Sequence, residues 1–194
     1  MKIAIIGAGF FGCSAALALS KKHKIDIFEK SDSILNGASL ANQLRFHLGY
    51  HYPRSPETVN EIKKNYRNFL KYFGKNIFGK TKNLYGISSE GSKIKFEDYL
   101  GFLKKNKLKF KKIKTNKFSN KIEGQILSYE KNLNYFKIKK IISKKLLRKN
   151  INIFYNSTFK KIFLNRYDKI IVATYDQNNK ILKNSGILAK KKYR

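Results

Sequence analysis

The chain has 194 residues, 42% hydrophobic and 14% aromatic, enough for one good core or one and a half domains and too apolar for general disorder. Its 43 Lys and Arg against 12 Asp and Glu give a formal net charge of +31, and it holds one cysteine, Cys13. These figures argue against a disulfide framework, a cysteine metal cluster and a membrane span, since no apolar run reaches the ~18 residues a spanning helix needs. A lone Lys2 and the lack of a cleavage site argue against a secretory leader, so the expected setting is a reducing cytoplasm.

In chain order, Lys2–Ile6 (KIAII) is nearly all apolar and ends at glycine, as a buried parallel strand does. Residues Phe10–Lys22 form a small-residue helix, and Lys24–Glu29 (KIDIFE) a second strand. The polar, glycine-bearing stretch Ser31–Ser55 has no sustained period and reads as a long functional loop or a broken helix. A helix is predicted over Pro56–Phe73, with Ser55 as N-cap and Val59, Ile62, Tyr66, Phe69, Leu70 and Phe73 on one face. Asn83–Ser88 reads as a strand and Lys95–Asn106 as an amphipathic helix, whereas Lys107–Lys121 is too basic to assign. A strand at Gln125–Tyr129 and a helix over Tyr135–Lys149, capped by Asn150, follow. Three strands close the series: Ile151–Tyr155, Thr158–Leu164 and Lys169–Ala173. No internal repeat is visible, and strands alternating with helices predict an α/β fold.

The residues Gly7-Ala8-Gly9-Phe10-Phe11-Gly12 fit G-x-G-x-x-G between a predicted strand and a predicted helix. In that setting the first glycine makes the tight turn, the second lets backbone approach a pyrophosphate, and the third lets helix pack on strand. The helix start offers N–H groups and partial positive charge to phosphates. Glu29, ending the second strand, is placed to accept hydrogen bonds from ribose hydroxyls and would repel a 2′-phosphate, which disfavours NADP. Cys13 sits where the helix dipole favours a thiolate, and is read as a packing residue. No C-x-x-C pair is present, which counts against a disulfide-reductase flavoprotein.

Two further segments matter: Gly37-Ala38-Ser39-Leu40-Ala41-Asn42 leading into Arg45-Phe46-His47-Leu48-Gly49-Tyr50-His51-Tyr52, and Tyr167–Tyr175 (YDKIIVATY). With the glycine motif at the extreme N-terminus, they make the chain resemble the FAD-dependent oxidoreductases of the D-amino-acid oxidase superfamily. Its G-A-S-x-x-N, H-x-G-x-x-Y and D-x-V-V-x-A-T-G segments are similar, with Tyr175 in place of the last glycine. An A-T-Y variant followed by asparagines resembles a less characterised branch. The resemblance implies a Rossmann-like FAD/NAD(P)-binding domain in two segments, 1–75 and 136–178, part of an inserted α+β substrate domain at 76–135, and a basic tail at 179–194. It favours FAD over NAD. The expected cofactor-binding residues are Gly7, Gly9, Phe10, Phe11, Gly12, Glu29, Lys30, Ser39, Asn42, Arg45, His47, Ala173 and Thr174. Arg45 or Arg54 could instead face a substrate carboxylate. No catalytic residue and no metal ligand is assigned.

The implied reaction is oxidation of a C–N or C–O bond of a small molecule by hydride transfer to flavin. The resemblance covers about residues 1–178 but only the front half of the family. The expected states are therefore a truncated relic, one piece of a split enzyme completed by a C-terminal half, or a non-catalytic FAD- or NAD-binding remnant, with weak FAD affinity and no turnover by the chain alone. A third class, a lysine-rich nucleic-acid-binding protein, rests on charge. The lysines are spread along the whole chain and accompany abundant Asn, Ile, Phe and Tyr with two prolines and no tryptophan, the residue set of A/T-rich codons. That pattern implies non-specific polyanion binding at low salt.

Overall fold

The computed structural model describes residues 1–116, 120–147, 149, 151–160 and 165–186. The expected strand at Thr158–Leu164 lies partly outside these residues, as do Asn150 and the end of the basic tail. Two units are present. Unit 1 comprises Met1–Asn42 and Tyr135–Arg194, and unit 2 comprises Gln43–Asn134.

Unit 1 is built on a parallel sheet of β1 (Lys2–Ile6), β2 (Lys24–Phe28), β7 (Ile151–Phe154) and β8 (Lys169–Val172), in the order β7-β2-β1-β8. Ile3, Ala4, Ile5 and Ile6 are all buried, as are Ile25 and Ile27, so β1 is an unbroken buried apolar run, while β2, whose sequence alternates apolar and polar residues, is buried all the same. Helices α1 (Phe10–Leu19) and α5 (Tyr135–Leu147) pack against each other. Helix α1 buries Gly12, Cys13, Ala16 and Leu17, so its close-packed side is lined largely by small residues. Helix α5 buries Ile138, Ile142 and Leu146, one face at a spacing of four. The chain leaves β1 for β2 on one side and returns to β8 on the other, so strand order reverses at β1. Ligands of open α/β sheets bind at such a reversal, beyond the carboxyl ends of the strands.

One acid interrupts the apolar β2. Asp26 is 4% exposed and accepts hydrogen bonds from Asn152 Nδ2 at 2.8 Å and the Tyr167 hydroxyl at 2.7 Å, with Lys2 Nζ 3.4 Å away. It thereby ties β1, β7 and the approach to β8 to one carboxylate. Asp26→Ala is expected to destabilise the protein by about 3 kcal/mol, because three donors lose a buried charged acceptor. The check is a thermal melt, with a fall of roughly 6–12 °C. An unchanged melt would show that water replaces the carboxylate without loss.

Unit 2 is organised around the long strand β6 (Ile122–Leu133). Strand β4 (Phe78–Ser88) pairs with β6 antiparallel, and the short strands β3 (Arg45–Phe46) and β5 (Phe110–Ile113) also pair with it. Helices α3 (Pro56–Phe73) and α4 (Phe96–Lys105) complete the unit. Tyr50, Tyr99, Leu100, Leu103 and Ile126 form its core. Phe46 lies 4.9–5.3 Å, ring to ring, from Tyr66, Phe69 and Phe78, which seats β3 against α3 and β4. Ser55 does precede α3, but its hydroxyl meets Thr58 Oγ1 at 2.7 Å rather than capping a backbone N–H.

Three features differ from the sequence expectation. The stretch 31–55 contains a short helix, α2 (Ala38–Ala41), and β3, elements too short to carry a period. Strands β4 and β6 extend well beyond their apolar centres, because backbone pairing continues where side chains are polar. Residues 43–75 belong to unit 2, since β3 pairs with Lys131 and Asn132 of β6, so the boundary falls after Asn42 rather than at 75.

Candidate dinucleotide-binding site

The turn between β1 and α1 is held from several directions. Gly7 N–H donates to the Phe28 carbonyl at 2.8 Å, and Ala173 N–H donates to the Ile6 carbonyl at 2.8 Å. Gly7 has φ +98°, and a Cβ there would lie 2.7 Å from the Ala173 carbonyl oxygen. A Cβ on Gly12 would lie 1.9 Å from the Gly7 carbonyl oxygen. These two glycines are required by the protein's own packing.

Gly9 is different. Its backbone is extended, with φ −69° and ψ −178°, a conformation any residue adopts. A Cβ there would meet only Ser39 Oγ, at an ordinary 3.5 Å. Among the described residues, no contact at position 9 calls for a missing side chain. Gly9 is also the N-cap of α1 and offers no capping side chain of its own, the first turn carries no acidic residue, and the Phe10 N–H is held by Ser39 Oγ from outside the helix. A helix start of this kind favours an anion.

Around this turn the remaining expected residues of unit 1 fall as follows. Glu29 is 9% exposed, with Oε2 accepting from Ala8 N–H at 2.7 Å and Oε1 from Ser31 N–H at 2.8 Å. Each oxygen keeps a lone pair for a further donor. Ser39 Oγ accepts from Phe10 N–H at 3.0 Å and keeps its own proton to donate. Phe11 is 83% exposed. Lys30 and Asn42 are exposed. Thr174 N–H and Oγ1 both bond Asn178 Oδ1, at 2.9 and 2.8 Å, joining the end of β8 to the start of α6 (Asn178–Asn184). Tyr175 has φ +58°, a left-handed conformation that explains why a glycine suits this position. Cys13 is buried and its thiol donates to the Ala8 carbonyl at 3.2 Å. Burial, and then the charge of Glu29, push it up to about 12, so burial outweighs the helix dipole and Cys13 is an unreactive packing residue.

Arg45 and His47, expected among the cofactor ligands, belong to unit 2 and take part in a polar cluster there. Arg45 Nη1 lies 3.4 Å from the Tyr85 hydroxyl, and that hydroxyl donates to Glu130 Oε2. Leu48 N–H donates to Glu130 Oε1 at 2.9 Å, and His47 Nδ1 lies 3.6 Å from the same oxygen. Burial alone would raise the Glu130 carboxyl, but His47, the Tyr85 hydroxyl and the Leu48 N–H outweigh it and hold the group below its ordinary value. Sequence reading missed both Glu130 and Tyr85. The available sign was an acid at an inward position of β6, two residues beyond Ser128 and four beyond Ile126.

A strand–turn–helix of this form, at the reversal of a parallel sheet and with an acid directly after β2, is the form of a dinucleotide-binding protein. The model of the family described as FAD dependent oxidoreductase matches residues 2–169. The chain belongs to the FAD dependent oxidoreductase family, whose cofactor is FAD. Among curated relatives, the FAD-dependent monooxygenase FPY4 of Fusarium mangiferae is 29% identical over 98 residues, 50% of this chain and 27% of that protein. The FAD-dependent monooxygenase kojA of Aspergillus flavus is 34% identical over 74 residues, 38% of this chain and 17% of that protein. Among solved structures, L-proline dehydrogenase from P. horikoshii superposes with a TM-score of 0.69 at 15% identity, over 97% of this chain and 56% of that chain. Glycine oxidase from Geobacillus kaustophilus gives 0.67 at 12% identity, over 95% and 58%. The chain therefore spans about a quarter or less of these curated relatives and somewhat over half of these structures. No helix among the described residues is long and apolar enough to cross a membrane.

Proposed function

We propose that unit 1 holds the ADP portion of FAD and that the protein serves oxidation of a C–N or C–O bond in a small, carboxylate-bearing molecule. The observation that carries the cofactor assignment is Gly9, where the described residues leave room for a side chain and the backbone is left bare at the start of α1. Gly7 and Gly12 shape the turn, the α1 start and the Phe11 N–H attract the pyrophosphate beside Phe10, and Ser39, which holds the Phe10 N–H, donates its own proton to it. Glu29 takes the ribose hydroxyls with its remaining lone pairs, beside Lys30. Asn42, Ala173 and Thr174 complete the set. Bound FAD supplies the hydride acceptor.

Unit 2 supports the substrate assignment. The Arg45 Nε is buried and has no hydrogen-bond partner among the described residues. A half-buried guanidinium with an unused donor suits a carboxylate, which arginine grips in a planar fork. Polyanion binding, which salt removes, is assigned to the +31 net charge rather than to a dedicated surface.

Purified protein is expected to bind FAD, or ADP as its fragment, in calorimetry, and failure to bind either overturns the cofactor assignment. Anaerobic mixing of the FAD-loaded protein with amino acids, N-methyl amines and hydroxy acids then decides the reaction. Bleaching of the flavin band that is lost in Arg45→Ala supports oxidation of a carboxylate-bearing substrate. Bound FAD that no compound bleaches would leave a cofactor-binding unit without turnover.

A further inference from the structure

Strand β6 turns Ile126, Ser128 and Glu130 inward, and the Glu130 side chain is wholly buried. A charge in that position needs compensation from every group around it. Its Oε2 is taken by the Tyr85 hydroxyl, and its Oε1 by the Leu48 N–H. Burial and the charge of Glu130 push the Tyr85 hydroxyl well above its ordinary range, so Tyr85 stays a donor. Tyr50 stacks on Tyr85 at 5.8 Å, and Tyr99 donates to the Tyr50 carbonyl at 3.0 Å, which fixes the floor of the cluster. Among the described residues, His47 Nδ1, 3.6 Å away, can supply a proton toward the remaining lone pair of Oε1.

We propose that Glu130 is a positioning residue that fixes the tautomer of His47. An ionised carboxylate accepts and cannot donate, so a neutral His47 facing it carries its proton on Nδ1 and leaves the lone pair on Nε2. Nδ1 is buried and makes no hydrogen bond among the described residues, Glu130 Oε1 standing just out of range at 3.6 Å, while 35% of the His47 side chain is exposed, so the accessible part of the ring is the part away from Glu130. His51 and Tyr52, at 6.3 and 5.8 Å between ring centres, flank the imidazole. The result is an acceptor of set orientation, able to hold an O–H or N–H donor of a small molecule. That use of His47 rests on the oxidoreductase reading above, whereas the pairing itself needs neither FAD nor substrate.

The test is nitrogen-15 NMR of the histidine-labelled full chain, at a pH where the imidazoles are neutral, with His47 assigned by its loss in His47→Gln. In the wild type Nδ1 should be pyrrole-type and Nε2 pyridine-type. In Glu130→Ala the ring should revert to the Nε2–H form that free imidazole prefers. Tyr85→Phe removes the donor to Oε2 and the Arg45 contact but leaves Oε1 facing His47, so Nδ1–H should persist. If Glu130→Ala does not fold, Glu130→Gln takes its place. Its amide offers a donor as well as an acceptor, and Nδ1–H should cease to be exclusive. A wild-type Nε2–H signal, or an Nδ1–H signal unchanged by loss of the Glu130 carboxylate, would overturn the proposal. Failure of FAD to bind would overturn the cofactor assignment and leave this result standing.

Discussion

Gly9→Val is expected to fold and melt like the wild type while losing at least about 100-fold in affinity for FAD and ADP, equivalent to about 2.7 kcal/mol. The two halves of this expectation have separate causes. The backbone at position 9 is extended at φ −69° and only Ser39 Oγ stands within 4 Å of an added Cβ, so the fold accepts a side chain. A branched side chain would, however, occupy the surface on which a pyrophosphate must lie to reach the N–H groups of α1. Calorimetry and a thermal melt on the same sample check both halves. Equal affinity in the two proteins would move the ligand off this turn.

Gly12→Ala should do the reverse, at the level of the fold. One methyl group placed 1.9 Å from the Gly7 carbonyl oxygen cannot be accommodated without lifting α1 from β1. The carbonyl cannot yield easily, because Gly7 N–H is bonded to Phe28 and its backbone lies against Ala173. Overpacking in a close-packed interior costs about 1–3 kcal/mol, and a backbone clash this short belongs at or above the top of that range. The expected fall in melting temperature is roughly 6–12 °C, in the same assay that leaves Gly9→Val unmoved. A wild-type melt for Gly12→Ala would mean that α1 sits farther from the sheet than this geometry shows.

The contrast between these two glycines marks what could be read before the fold was known. The spacing of Gly7, Gly9 and Gly12 between an apolar run and a small-residue helix was legible, because strand, turn and helix are local patterns. Which glycine the protein's own packing requires and which it does not was not, since that depends on Ala173, at the far end of the chain, closing over Gly7. The acids show the same division. Glu29 declared itself by ending a strand near the glycine turn. Asp26 and Glu130 sit within strands and reveal their burial only when β7, β8 and β4 pack beside them.

By itself, then, the sequence determined the βαβ unit, its glycine turn and Glu29, the amphipathic helices α3, α4 and α5, and the return strand β8. Each depends on contacts between residues close in sequence, where periodicity and turn chemistry are enough. Only the tertiary structure decided that residues 43–75 join unit 2, that β3 and β5 exist, and that Glu130 gathers His47, Tyr85 and Leu48 N–H around one buried charge. Those features arise from pairing with β6 across long stretches of chain. There, backbone hydrogen bonds and desolvation, rather than local pattern, set which residues meet.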